Sequence, residues 1–202
     1  MGKKKRDSVL LFNSISHIYG LFYKIQKKRF KDVIEIVKKE LDIREFKTIL
    51  DVGCGTGALC SVLNDMGLKV TGVDPAEKML NIAREKPENK TVSFAKANIL
   101  ERLPFEDKLF EASIASYVAH GMGQEERKLM YAEMSRVTKS KVIIYDYNEK
   151  RSLPTTIIEW LEDGDYFNFI KNAESEMREC FSDVKTVYVG VRATWYICTP
   201  KE

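Results

Sequence analysis

The chain has 202 residues, 44% of them hydrophobic and 31% charged, with a net charge of +3; this is the composition of an ordinary soluble globular protein, long enough for one domain with a proper core. No apolar run reaches the length of a membrane span. Val9–Phe12 follows a basic start but is too short for a leader and lacks a cleavage site, and Arg6 stands where a myristoylation signal wants Ser or Thr, so neither is expected.

The excess charge sits at one end: before Ile49 thirteen Lys and Arg face six acids. Such an arm binds nucleic acid or forms the solvated face of a helix. Apolar positions recur at helical spacing over 30–43, at Phe30, Val33, Ile34, Val37 and Leu41. A short apolar strand is predicted over 48–52, a helix over 57–66 that stops at Gly67, and a second strand over 69–74. Asp74-Pro75 then opens a helix, with Pro75 where a missing N–H does no harm. Strands follow at 91–97 and 110–116, an amphipathic helix at 123–137, and a fifth strand at 141–147. One or two helices are expected within 155–180, and the segments on either side of Gly190 read as an antiparallel pair.

Alternation of strand and helix predicts an α/β fold with a doubly wound, mostly parallel sheet covered on both faces and closed by an antiparallel C-terminal hairpin. Seven strands in a three-layer α/β/α, Rossmann-like arrangement result, as a single domain over 47–202 preceded by an arm and covering helices over 1–46. Cysteines 54, 60, 180 and 198 form no CxxC pair and have no nearby histidine. They read as reduced thiols of a cytoplasmic protein, and no metal site is expected.

In doubly wound sheets ligands bind at the carboxyl ends of the strands. Three features fall there: the loop Gly53-Cys54-Gly55-Thr56-Gly57, Asp74 and Asn98. A glycine loop lets backbone N–H groups approach a ligand, and a carboxylate 21 residues past Gly53 can accept both cis hydroxyls of a ribose. These two features alone fit a nicotinamide dinucleotide as well. Asp51, two residues before the first glycine, disfavours a pyrophosphate and favours a ligand with an amine or sulfonium cation. Opposite charges a few ångströms apart at an effective dielectric near 20 attract by about 4 kcal/mol, enough to matter.

Four segments then carry a family resemblance. "ILDVGCGTGALCSVL", "VTGVDPAEKMLNIAREK", "AKANILERLPFEDKLFEASIASYVAHGM" and "EMSRVTKSKVIIYDYN" resemble the ordered motifs of class I S-adenosylmethionine-dependent methyltransferases, over about 47–148 and more loosely to the closing hairpin. Within that family the similarity leans to the small-molecule, quinone-biosynthesis-type branch. The resemblance implies S-adenosylmethionine as cofactor. Gly53, Cys54, Gly55 and Gly57 would pass around its methionine part, and Asp51 would help hold the amino group. Asp74 would hold the ribose, with Pro75 and Met79 against the adenine side. Ala97, Asn98 and Ile99 would border the adenine, and Ser116 and Tyr117 would lie near the sulfonium. Asn98 stands where the family commonly has Asp, and its carbonyl still accepts a hydrogen bond.

Methyl transfer from a sulfonium needs alignment and exclusion of water more than a metal or a covalent nucleophile. A weakly acidic acceptor also benefits from a base, and His120 is the candidate; it reads equally as a histidine packed between loop and helix. Tyr19 and Tyr23, on the N-terminal segment, and Asp146, Tyr147 and Tyr166 are the candidates for contact with a small-molecule acceptor, with Tyr19 and Tyr23 alternatively core aromatics. A different class, an RNA-modifying or nucleic-acid-binding protein using the basic arm, is the competing expectation, together with a nicotinamide-dependent oxidoreductase.

Overall fold

A computed structural model describes residues 22–149 and 165–201, which divide into two compact units at Asn98/Ile99. Tyr19 and the first 21 residues of the basic arm lie outside the described residues.

The first unit is built on three parallel strands, β1 (Thr48–Val52), β2 (Lys69–Asp74) and β3 (Ser93–Lys96), in the order β3-β2-β1. In β1 the residues Ile49, Leu50, Asp51 and Val52 are all buried. A parallel strand covered on both faces reads as an unbroken apolar run, and Asp51 is the one exception in it. Helix α1, over 22–37, buries Tyr23, Val33, Ile34 and Val37. It ends at Val37, whose carbonyl accepts from Glu40 and Leu41 N–H, six residues before the predicted end. The apolar spacing continues to Leu41, but the chain there has already turned. Helices α2 (Ala58–Asp65) and α3 (Glu77–Glu85) pack against β2 and β3. Pro75 precedes α3 rather than opening it, because Asp74 Oδ1 accepts from Ala76 N–H at 2.8 Å and makes a turn ahead of the helix.

The second unit carries β4 (Phe110–Ser116), β5 (Thr138–Tyr147), β6 (Asp183–Tyr188) and β7 (Ala193–Thr199) in the order β4-β5-β7-β6. β4 and β5 are parallel, and β7 is antiparallel to both β5 and β6. β5 starts three residues earlier than its apolar run, directly from the end of helix α4 (Gln124–Val137). Thr138 Oγ1 donates to Ser113 Oγ at 2.7 Å there, which anchors a polar residue in the sheet. Helix α5 (Tyr166–Cys180) packs on α4 and β6.

One ion pair locks α4 to α5. The fully buried guanidinium of Arg127 forks onto both oxygens of Glu176 at 2.7 Å, and its third nitrogen reaches Met122 O at 2.5 Å and Asp165 at 2.9 Å. Removing one member of such a pair strands the other charge in the interior, whereas replacing both with apolar groups is far milder. Arg127→Met is therefore expected to cost about 3–5 kcal/mol in chemical denaturation, and adding Glu176→Leu to it should recover most of that loss.

A glycine comparison tests the first unit in the same way. Gly55 and Gly57 both have positive φ, +52° and +75°, but a Cβ at Gly57 would lie 2.6 Å from Asn89 Nδ2 and 3.0 Å from Ala83 Cβ, while one at Gly55 would meet nothing within 4 Å. Gly55→Ala should lose only the backbone penalty, roughly 1–2 kcal/mol. Gly57→Ala should lose measurably more in the same urea titration.

Candidate functional site

The first unit gathers its polar groups at the carboxyl ends of β1 and β2. Asp74 closes β2, and its carboxylate is tied at both oxygens: Oδ1 to Ala76 N–H, and Oδ2 to Gly55 N–H at 2.9 Å. Each oxygen keeps a second lone pair, so the group is preset to accept two further hydrogen bonds from neighbouring hydroxyls. Burial raises its pKa, against the two amides that favour the ionised form.

Asp51 is only 1% exposed. Its Oδ2 accepts from the Cys60 thiol at 3.1 Å. Burial pushes Asp51 up to about 7, opposed by the Cys60 hydrogen bonds and reinforced by the charge of Asp74. Among the described residues no Lys, Arg or His forms an ion pair with either carboxylate. Two desolvated acids without a counter-ion are costly, and a cationic ligand would relieve them.

The loop's amides are already engaged. Gly53 and Cys54 N–H both donate to Val73 O, at 2.8 and 3.0 Å, Gly55 N–H goes to Asp74, and Gly57 N–H goes to Cys54 O. The expectation that this loop offers its N–H groups to a ligand is thereby corrected at these four positions. A pyrophosphate would find these donors spent and two acids nearby. The glycines serve otherwise: open space at Gly55 for a ligand to approach the backbone, and close packing at Gly57. Asn89, which sequence reasoning missed, holds this packing together, its amide donating to Gly57 O and Ala83 O. Only its position after the Pro87 turn hinted at a structural role.

Ala97 N–H donates to Asp74 O at 3.3 Å, which brings the start of the Ala97–Asn98 segment to the ribose candidate. Pro75, Ala97 and Asn98 are half-buried, and Met79 is buried in α3. Tyr23 is buried in the first unit, with Lys86 and Lys27 ammonium groups over its ring at 4.8 and 5.8 Å, and burial pushes its hydroxyl up to about 12. Its side chain is spent on packing.

In the second unit Ile99 is buried, and the remaining candidates meet at the carboxyl ends of β4 and β5. Asp146 is fully buried and accepts four hydrogen bonds. Oδ1 takes His120 Nδ1 and Tyr147 N–H, both at 2.8 Å, and Oδ2 takes Ala119 N–H at 3.0 Å and His120 N–H at 3.3 Å. That fills a carboxylate's acceptor capacity, so Asp146 holds His120 and is not itself a group for an acceptor to touch. Rings crowd the imidazole: Tyr147 at 4.8 Å and Tyr117 at 6.4 Å, with Tyr145 and Tyr166 packed against those two. Tyr117 has φ +56°, a conformation that costs a side-chain-bearing residue roughly 1–3 kcal/mol and gathers at functional sites. Beside it, Ser116 Oγ is buried without a hydrogen-bond partner among the described residues.

The methyltransferase-domain family model matches residues 49–141. An uncharacterized methyltransferase of Alkaliphilus oremlandii is 21% identical over 187 residues, covering 86% of this chain and 85% of the relative. Demethylmenaquinone methyltransferase of Thermotoga maritima is 30% identical over 147 residues, covering 69% of this chain and 60% of the relative. Over residues 49–141 the chain is similar to the methyltransferase domain, and these relatives are named methyltransferases. The crystal structure of the PH0226 protein from Pyrococcus horikoshii OT3 superposes with a TM-score of 0.72 at 21% identity, over 86% of this chain and 91% of that one. The fold is thus the Rossmann-like mixed sheet of seven strands with its antiparallel C-terminal pair. The two carboxylates, which no described residue pairs with a cation, and the open backbone at Gly55 fit a cationic nucleoside of the S-adenosylmethionine kind.

An acid whose pKa is higher folded than unfolded takes up a proton on folding. Its stabilising contribution is full below the unfolded carboxylate range and fades as pH rises through the folded value. Asp51 and Asp74 both shift that way, so the free chain should lose stability between about pH 4 and pH 7 on their account. A cation favours ionised Asp51. Calorimetry at about pH 6 in buffers of different ionisation enthalpy should therefore show a proton released on cofactor binding, and Asp51→Asn should abolish that release.

Proposed function

We propose that the chain transfers a methyl group from S-adenosylmethionine to a small-molecule acceptor. The observation that carries this reading is the Asp74 carboxylate, preset by two backbone amides for a ribose diol and lying beside a buried acid that no cation among the described residues pairs. Asp74 would bind the ribose hydroxyls, Asp51 would neutralise the amino group, and Gly53, Cys54, Gly55 and Gly57 would line the methionine tail. Pro75, Met79, Ala97, Asn98 and Ile99 would form the adenine surround, and Ser116 and Tyr117 the sulfonium end. When bound, the cofactor supplies a methyl group on a good leaving group, so the chain's own work is alignment, exclusion of water and removal of a proton.

His120 is the residue proposed to take the acceptor's proton, with the half-buried Tyr147 as apolar surface for the acceptor; Tyr166, only 1% exposed, packs behind Tyr147 instead of meeting an acceptor as the sequence suggested. The chain's similarity to a demethylmenaquinone methyltransferase supports a small, flat, partly apolar acceptor. No described helix is long and apolar enough to cross a membrane, and the four cysteines are free thiols, which fits the cytoplasm we propose as the site of action.

Calorimetry with S-adenosylmethionine, S-adenosylhomocysteine and NAD separates this reading from a dinucleotide enzyme. The first two are expected to bind and NAD to show no heat. Asp74→Ala should weaken S-adenosylmethionine by about 100-fold, the loss of two hydrogen bonds to an ionised acceptor. Tight NAD binding with none of S-adenosylmethionine would overturn the assignment.

A further inference from the structure

We propose that Cys54 and Cys60 are a reactive dithiol pair, converted by a hydroperoxide to an intramolecular disulfide that disables the glycine loop between β1 and α2. The effect on the cofactor rests on the methyltransferase reading above; formation of the bond does not.

The fold brings the two sulfurs to one place from different elements. Cys54 is in the glycine loop, and Cys60 is in the first turn of α2. Both reach over Gly72 of β2. A Cβ built on that glycine would lie 2.9 Å from each Sγ, so the sulfurs are no farther apart than twice that distance. Each thiol is a hydrogen-bonding partner of the other. A side chain at position 72 would push one sulfur away, and glycine leaves the pair its space. The Cys60 thiol also donates to Asp51 Oδ2 at 3.1 Å, so the pair is tied to the buried acid.

Exposure assigns the roles. Cys60 is 0% exposed and Cys54 8%, so an oxidant arriving at the loop meets Cys54 first. The Cys60 thiol favours the ionised form of Cys54, but burial and the charges of Asp51 and Asp74 outweigh it and hold Cys54 above its ordinary value; burial holds Cys60 well above its own. The thiolate is the nucleophile, so the pair reacts slowly and answers sustained rather than brief exposure to oxidant. The Cys54 sulfur attacks one peroxide oxygen. An S–O bond forms, the O–O bond breaks, and the departing oxygen takes up the Cys54 proton as alcohol or water. The Cys60 sulfur then attacks the sulfenic acid on Cys54. The S–S bond forms, the S–O bond breaks, and the hydroxide leaves with the Cys60 proton as water. Two thiols have given up two electrons, and the O–O bond has accepted them.

A disulfide sulfur carries no hydrogen, so Asp51 loses its donor at Oδ2. Closing the sulfurs to about 2.0 Å also draws Cys54 toward α2, and with it Gly53 and Gly55 on either side. The open approach at Gly55 and its bond to Asp74 both depend on where that loop lies. The oxidised chain should therefore bind S-adenosylmethionine about 10-fold or more weakly, the loss of one hydrogen bond to a charged group.

The test uses the full wild-type chain and hydrogen peroxide. Surviving thiols are blocked with N-ethylmaleimide in denaturant, and the state of each of the four cysteines is read by peptide mass spectrometry. A Cys54–Cys60 disulfide that dithiothreitol reverses is expected, with the fully buried Cys198 still reduced. Oxidation of the pair only in step with Cys198 marks general unfolding and overturns the proposal. So does a chain in which both thiols survive, or in which Cys54 is oxidised further without pairing. Calorimetry then compares S-adenosylmethionine binding before peroxide, after it, and after dithiothreitol. Weakening and recovery are expected in the wild type and equally in Cys180→Ser, which excludes a bond between chains through that half-buried thiol. Unchanged affinity in the disulfide form overturns the disabling role. A reduced chain that does not bind S-adenosylmethionine sinks the methyltransferase reading instead, and leaves the mass-spectrometric result to decide the dithiol pair.

Discussion

The carboxylate of Asp74 is held by the amides of Gly55 and Ala76, and the local architecture of the first unit depends on that clasp. It draws the glycine loop onto the end of β2, turns the chain ahead of α3, and leaves outward lone pairs in a fixed orientation. The glycine loop then has no alternative path: Gly53 and Cys54 donate to Val73, the residue before Asp74, and Gly57 sits too close to Asn89 and Ala83 to bear a side chain. What resembles a phosphate-binding loop in sequence is, in three dimensions, a loop whose donors at these positions have been consumed to shape an acid-lined surface.

The consequence is electrostatic. Burying Asp51 and Asp74 in one unit with no partnering cation among the described residues is unfavourable for the free chain and favourable for a positively charged ligand. The second unit uses a buried acid differently. Asp146 is satisfied by four donors and spends its charge on orienting one imidazole. Arg127, likewise buried, is matched by Glu176 and Asp165 and pins the segment that follows His120 through the carbonyl of Met122. Buried charges here are thus either completely paired, and rigidify, or left uncompensated, and await a ligand.

The strands of both units were legible in the sequence because buried parallel strands are unbroken apolar runs punctuated by glycine, proline and acids. β1, β2 and β4 match their predicted spans. The errors fall where tertiary contacts override local pattern. The apolar spacing through Leu41 outlasts α1. β5 reaches back to Thr138, where a hydroxyl pair substitutes for apolar burial. Pro75 yields the helix start to the Asp74–Ala76 turn.

By itself the sequence determined the order of strands and helices, the glycine loop, and the presence of acids at strand ends, since these follow from periodicity and residue chemistry along the chain. It also singled out His120, Asp146 and Tyr147 as residues of interest. Only the tertiary structure decided what each does, because hydrogen-bond partners distant in sequence are invisible to pattern. Asp146 lies 26 residues from His120 and Asn89 lies 32 residues from Gly57. Whether a carboxylate binds a ligand or holds a neighbour depends on how many donors the fold brings to its two oxygens, and that number is a property of packing alone.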